Sequence, residues 1–340
     1  MKNTKIAPNE DQLEWLDDTL IHQSETSFIK NFRQDIGEIK RIESRKLEEY
    51  FSNLEDSDFE ESVYAVEENH IVSLYLIRHI SQSEEFLLQL DNLPLLRNLH
   101  LKNFIIPIDF PIVRILRHLE IHESVISHFH DFSNLSLLER LVLHDCNMSI
   151  LPESITELEF LRDLEILSDR EVIDNSSEEC LTKPPKNLGN LVNLEILSIE
   201  STELNELPGN LSNLRKLKIL YLSDNNLNNL PKSIGELEKL EKIGLSGNKL
   251  SNFPKSFFNL TALKSLSMAR NNFSELPPEI SQLLRLEEIN LLDNPWTSFP
   301  KEIAEIPFLK KIIANSSSKG LFPSEIFEKV KKNLLKIEYK

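Results

Sequence analysis

Only two cysteines, Cys146 and Cys180, occur in 340 residues. A disulfide-stapled framework of the kind small secreted domains use is therefore excluded, and a reducing interior, the cytoplasm, is expected. No apolar run approaches the ~20 residues needed to cross a bilayer. The opening MKNTKIAPNEDQ has no apolar stretch of a secretory signal, so neither export nor a membrane partner is expected. Basic residues are scarce too: 38 Lys+Arg stand against 55 Asp+Glu, a net charge of −17. Nucleic acid needs clustered Lys and Arg, so it is excluded as a partner class. The first 70 residues hold 8 basic and 18 acidic side chains, and so carry −10 of that charge. Solvated helix faces explain such an excess; a dock for a basic protein surface is the functional alternative. A phosphate loop is missing as well, because Gly244-Leu-Ser-Gly-Asn-Lys249 lacks the G-x-x-x-x-G-K-[ST] spacing.

What the chain has instead is a repeat. Five consecutive 23-residue blocks start at Leu194, Leu217, Leu240, Leu263 and Leu286 and end at Phe308; LKILYLSDNNLNNLPKSIGELEK is one of them. Their frame is L-x-x-L-x-L-x-x-N-x-L-x-x-L-P-x-x-I-x-x-L-x-x. A fixed period of this size means one supersecondary unit stacked many times, each copy burying its neighbour's apolar face. The opening L-x-x-L-x-L alternates inward leucines at the period of a short strand. Asn225, Asn248, Asn271 and Asn294 follow at a turn, where an amide can bond backbone groups that the turn exposes, forming a structural ladder. In the second half, Leu230-Pro231-x-x-Ile234-x-x-Leu237 fits a short helix or 3₁₀ segment with Pro at its first position.

This pattern resembles the leucine-rich repeat family, in the 23-residue class with LPxxIxxL in its second half. Intracellular Ras-group-related proteins and many microbial proteins carry that class. The resemblance implies an α/β solenoid with a parallel sheet on the concave face, short helices or 3₁₀ turns on the convex face, and a concave binding surface. Extracellular members usually close their ends with disulfide-bonded caps, which this sequence does not have.

The frame persists upstream in weaker form, giving eleven strands from starts at 71, 96, 116, 138, 161, 194, 217, 240, 263, 286 and 309, with an acidic insert near 168–183. At roughly 4.8 Å per strand, such a sheet is on the order of 50 Å long. The domain reading is a disordered stretch at 1–8, a helical N-terminal cap over 9–70 ending in a β-hairpin, the repeat array over 71–322, and a helical C-terminal cap over 323–340. The cap reading rests on helix-like spacing of Leu13, Leu16, Leu20 and Ile21, then Phe28, Ile29, Phe32, Ile36, Ile39 and Ile42. The hairpin would lay an antiparallel strand on the first repeat's edge.

Two zones of the strand face stand out. In the first, Tyr75, His100, His118, His122 and His144 lie among Glu120, Glu123 and Asp145. Neighbouring strands place His122 beside His144. Such a group can bind Zn²⁺ or respond to pH near neutrality; without tight ligand spacing, the reading is a polar contact surface with no metal and no cofactor. In the second, Gly244, Ser246 and Ser267 make a floor of small side chains, with Tyr221, Arg270, Asn290 and Leu292 around it. Tyr and Arg are enriched in binding hot spots. Trp296 falls on a core position of the frame, and Cys146 takes an Asn place as a ladder substitute rather than a nucleophile.

The functional expectation is a monomeric, non-catalytic scaffold that binds a folded protein on the concave face. The resemblance points to small-GTPase or phosphatase signalling. The alternatives are a microbial effector or ligase-type recognition module, whose large catalytic region with a reactive Cys has no counterpart in this sequence, and a metal site on the histidines.

Overall fold

The computed structural model describes residues 13–16, 19–35, 39–43, 62–68, 70–77, 85–106, 113, 115–126, 131–146, 148–168 and 181–340. They fall into two compact units, Met1–Asn147 and Met148–Lys340. The stretch expected to be disordered, 1–8, and residues 169–180 of the insert lie outside the described residues.

Unit 1 opens differently from the helical cap expected over 9–70. Leu13–Leu16 (β1) and Thr19–His22 (β2) form an antiparallel pair, and among the described residues of the cap only Gln23–Asp35 (α1) is helical. Ile39–Glu43 is a strand, β3. Apolar spacing of three and four cannot separate helix from strand in segments this short, and strand pairing decides the outcome. The expected hairpin is present: Ser62–Glu67 (β4) pairs antiparallel with His70–Ile77 (β5). It is not the edge, however, because β3 pairs parallel with β4 on its other side. A buried carboxylate ties α1 to the hairpin. Glu25, 0% exposed, accepts the Ile71 N–H at 2.6 Å and contacts His70 Nδ1 at 2.8 Å. Parallel strands Asn98–Lys102 (β6), His118–His122 (β7) and Arg140–His144 (β8) follow β5.

Unit 2 contains the regular blocks. Its strands are Asp163–Leu167 (β9), Ile196–Glu200 (β10), Ile219–Tyr221 (β11), Lys242–Gly244 (β12), Ser265–Ser267 (β13), Glu288–Asn290 (β14) and Lys311–Ala314 (β15), each parallel to the next. The C-terminal cap is more than helical. After Ser324–Lys331 (α2), Lys336–Tyr339 (β16) adds a further strand parallel to β15, with Ile337 opposite Ile312. The alternating apolar pair Ile337 and Tyr339 is the signal that helix spacing hides.

The leucine frame sets the core. Leu197, Leu220, Ile243, Leu266, Ile289 and Ile312 stack in register and are at most 1% exposed. The second halves close in 3₁₀ turns, for example Lys232–Glu236 and Lys255–Asn259. Pro231 and Pro254 sit one residue earlier than expected, at the cap, with extended ψ of 150° and 146°. A five-residue segment has room for little beyond i+3 bonds such as Leu237 N–H to Ile234 C=O. Successive turns pack so tightly that a Cβ on Gly235 would lie 2.0 Å from the Ser256 carbonyl oxygen. Behind them runs an aromatic spine through Phe253, Phe273, Trp296, Phe299 and Phe322. Trp296 is 8% exposed, as its core position requires, and its indole N–H donates to Leu291 C=O at 2.7 Å.

The asparagine ladder forms as the spacing predicts. Asn225, Asn248 and Asn271 are buried. Their amides donate to Ile199, Leu222 and Leu245 C=O of the preceding repeat at 2.7, 2.8 and 2.8 Å. Their carbonyls accept from Leu204, Leu227 and Leu250 N–H at 3.0–3.1 Å. Asn294 makes the same contacts to Met268 and Phe273. The residue before each takes a positive φ: Asp224, Gly247, Arg270 and Asp293 lie at 52–68°. In unit 1, Cys146 holds the Asn place, donating its S–H to Ile121 C=O at 3.3 Å. Burial pushes its thiol up to about 12, which suits a structural rather than a nucleophilic role. Ser124 takes the corresponding place one repeat earlier, accepting from Phe104 N–H and donating to His122 C=O. The sequence reading missed Ser124; its frame position, eight residues after Leu116, identifies it.

Candidate functional site

Side chains that point away from the leucine core form the outward strand face of each unit. In unit 1 the strand register aligns Tyr75, His100, Glu120 and Val142 in one row, and Ile77, Lys102, His122 and His144 in the next. The rings stack across the strands. Tyr75 and His100 lie 3.6 Å apart between centroids, His100 and His122 4.3 Å apart at 18°, and His122 meets His144 edge-on at 5.3 Å. The adjacency expected of His122 and His144 is thus present.

Glu120 is the centre of this group. Its Oε2 is 3.0 Å from His100 Nδ1 and 3.8 Å from His122 Nε2, while Oε1 accepts from Arg140 Nε at 3.2 Å. Burial alone would raise its pKa. Contacts from His100 and His122, with the positive charges of His100 and Arg140, outweigh that and hold the carboxyl well below its usual range. Arg140 was missed from sequence, although its row, with Asn98 and His118, is readable from the frame. His118 shares the face but stands exposed at the start of β7, outside the stack. Glu123 pairs with Lys102 at 3.0 Å and Asp145 with His144 at 3.4 Å.

In unit 2 the centre row reads Glu165, Ser198, Tyr221, Gly244, Ser267, Asn290 and Ile313, each opposite the next. The floor of small residues is narrower than expected. A Cβ on Gly244 would lie 2.8 Å from Tyr221 Cδ1, so the Tyr221 ring occupies the space above that glycine. The absent side chain serves a neighbour's ring within the same sheet. Ser246 and Ser267 share a 2.8 Å hydrogen bond, and Asn290 donates to Ser267 Oγ at 3.3 Å and accepts from Leu292 N–H at 3.2 Å. Arg270 reaches back over two repeats to Asp224 at 3.0 Å. The rim is therefore an internally bonded surface, with Tyr221 and Leu292 half-exposed and Arg270 exposed.

Residues 171–271 match the family model described as a leucine-rich repeat region, and residues 262–283 match the model described as a leucine rich repeat. Leucine-rich repeats therefore occupy residues 171–283 of the chain. No curated protein is similar enough in sequence to match it. Among solved structures it is similar to a leucine-rich-repeat protein of Leptospira interrogans, with 20% identity over 79% of this chain and 90% of that one, at a TM-score of 0.37. It is also similar to a chain of the Toll–Spatzle complex of Drosophila, at 19% identity and a TM-score of 0.58; the match spans 72% of this chain and 33% of that one. A Listeria monocytogenes internalin shares 17% identity over 74% and 85% of the two chains, at a TM-score of 0.45. The Drosophila likeness supports the fold, an α/β leucine-rich-repeat solenoid. Among the described residues no helix is long and apolar enough to cross a membrane.

Proposed function

We propose that this protein is a recognition scaffold without catalysis of its own, holding a folded protein partner on its outward strand face. One observation carries the reading: core and face are separate. The leucine rows at most 1% exposed hold the stack, while the centre row beside them varies from Glu165 to Ile313 at no cost to that core. A rigid face of independently variable side chains suits protein recognition, and the Drosophila neighbour comes from a protein–protein complex. We place the protein in the cytoplasm, acting as a monomer, in small-GTPase or phosphatase signalling; the class of repeat and the scarcity of cysteine support that placement.

The test is quantitative capture from the native host with wild-type protein and with a Tyr221→Ala/Arg270→Ala variant, read by mass spectrometry. Partners lost with the double substitution, at unchanged thermal stability, support the reading. Identical capture by both proteins would move the site away from the unit 2 face.

A further inference from the structure

Glu120 and His122 are two residues apart on β7 and face the same way, and parallel pairing sets His100 opposite Glu120. One donor atom from each of the three lies within 4.8 Å of the other two. Glu120 Oε2 stands 3.0 Å from His100 Nδ1 and 3.8 Å from His122 Nε2. In a tetrahedral zinc site with bonds near 2.0–2.1 Å, donor atoms stand about 3.3 Å apart, so those values bracket what an ion requires. His122 Nε2 is buried and makes no hydrogen bond, a condition that calls for an explanation in a folded chain. Arg140, bonded to Oε1, orients the carboxylate so that Oε2 faces the two imidazoles, the arrangement by which outer groups fix a metal ligand.

We propose that His100, Glu120 and His122 form a binding site for a divalent transition-metal ion, with Zn²⁺ as the representative. Two imidazoles and a carboxylate suit zinc and its first-row neighbours, and select against Mg²⁺ and Ca²⁺, which prefer all-oxygen sets. An ion lies close to the plane of each imidazole it binds. The rings of His100 and His122 are nearly parallel, so binding turns at least one of them out of the stack. Three protein ligands leave a fourth position open on the outward face, where water or a donor atom from a docked partner completes the shell.

The experiment titrates chelator-treated full-length protein with Zn²⁺ by calorimetry, and with Co²⁺ by visible absorption. One ion per chain is expected, with affinity at least about tenfold weaker in His122→Ala and in Glu120→Gln. His118→Ala, on the same strand but outside the cluster, keeps full affinity. Glu120→Gln preserves side-chain shape, so a folded variant by circular dichroism that has lost the ion separates ligation from unfolding. A wild-type protein that takes up no stoichiometric ion overturns the site, as does equal affinity in wild type and both cluster variants.

Discussion

In unit 2 an asparagine amide closes the turn after each of four successive strands; in unit 1 the same place is held by Ser124 and Cys146. An amide bonds several backbone groups at once. Asn248 accepts from Leu227 N–H and donates to the carbonyls of Leu222, Leu245 and Ser246. Ser124 makes two such bonds, and Cys146 offers only a weak S–H donor, at 3.3 and 3.6 Å. The contrast extends to the outward faces. Unit 2 presents small, mutually bonded side chains, whereas unit 1 holds a half-buried carboxylate, Glu120, among imidazoles and an arginine. The lesson is that the repeat tolerates different turn closures and different faces so long as the inward leucines are kept.

The sharpest test of that lesson strikes the shared feature. Leu245 in unit 2 and Leu143 in unit 1 occupy the same frame position, and both are 0% exposed. Leu→Ala at either should cost roughly 2–5 kcal/mol, measured from denaturant midpoints. A cost below about 1 kcal/mol at Leu143 would mean that unit 1 is not held by the same core. The next test separates the units. Asn248→Ala leaves the Leu227 N–H without its acceptor, while the carbonyls of Leu222, Leu245 and Ser246 keep other donors, so a cost of about 1–3 kcal/mol is expected. Cys146→Ala removes only a weak donor and should cost about 1 kcal/mol or less. Equal costs would break the distinction between the two ladders.

Acid should distinguish the units as well. The Glu120 carboxyl is held below its ordinary value in the fold, so its contribution is full above the unfolded-state value of about 4.5 and is lost as pH falls toward the folded one. Unit 1 is therefore expected to lose stability from about pH 5 downward. Glu120→Gln should flatten that slope in a thermal melt followed against pH. An unchanged slope would show that the His100 and Arg140 contacts do not stabilise the carboxylate.

The frame made the regular part of this molecule legible. Every expected strand from 71 to 309 is present, and the centre row from Tyr75 to Ile313 matches the pairing within each unit, because side-chain parity in a strand has no freedom once the leucines point inward. Legibility failed where the frame stops. Leu13 to Ile21 and Ile39 have helix-like spacing, yet they pair as strands, since segments of four or five residues take their structure from partners far along the chain. Two site features were beyond a row-by-row reading because each depends on how far a side chain reaches. Tyr221 lies over Gly244 of the next strand, and Arg270 crosses two repeats to Asp224.

The smallest effect concerns a charge pattern at the second residue of each frame. In unit 2 it alternates strictly: Arg162, Glu195, Lys218, Glu241, Lys264, Glu287, Lys310. Lys264 Nζ meets Glu241 at 2.7 Å and Lys310 Nζ meets Glu287 at 2.6 Å. Lys264 lowers the pKa of Glu241 chiefly through that bond. In unit 1 the row reads Arg97, Arg117, Glu139: the two arginines are like-charged neighbours joined by a backbone bond, Arg117 meets Glu139 of the next repeat, and Arg97 turns out of the row to Glu67. Both side chains of the Glu241–Lys264 pair are about two-fifths exposed, so water screens it and such a pair contributes only about 0.2–1 kcal/mol. Glu241→Lys would place a like charge between Lys218 and Lys264, at a cost of about 0.5–1 kcal/mol in dilute buffer. In 1 M salt, where charges are screened within about 3 Å, most of that cost should vanish. A melting temperature lowered equally at both salt concentrations would mean that the alternation acts through packing of the long side chains, not through charge.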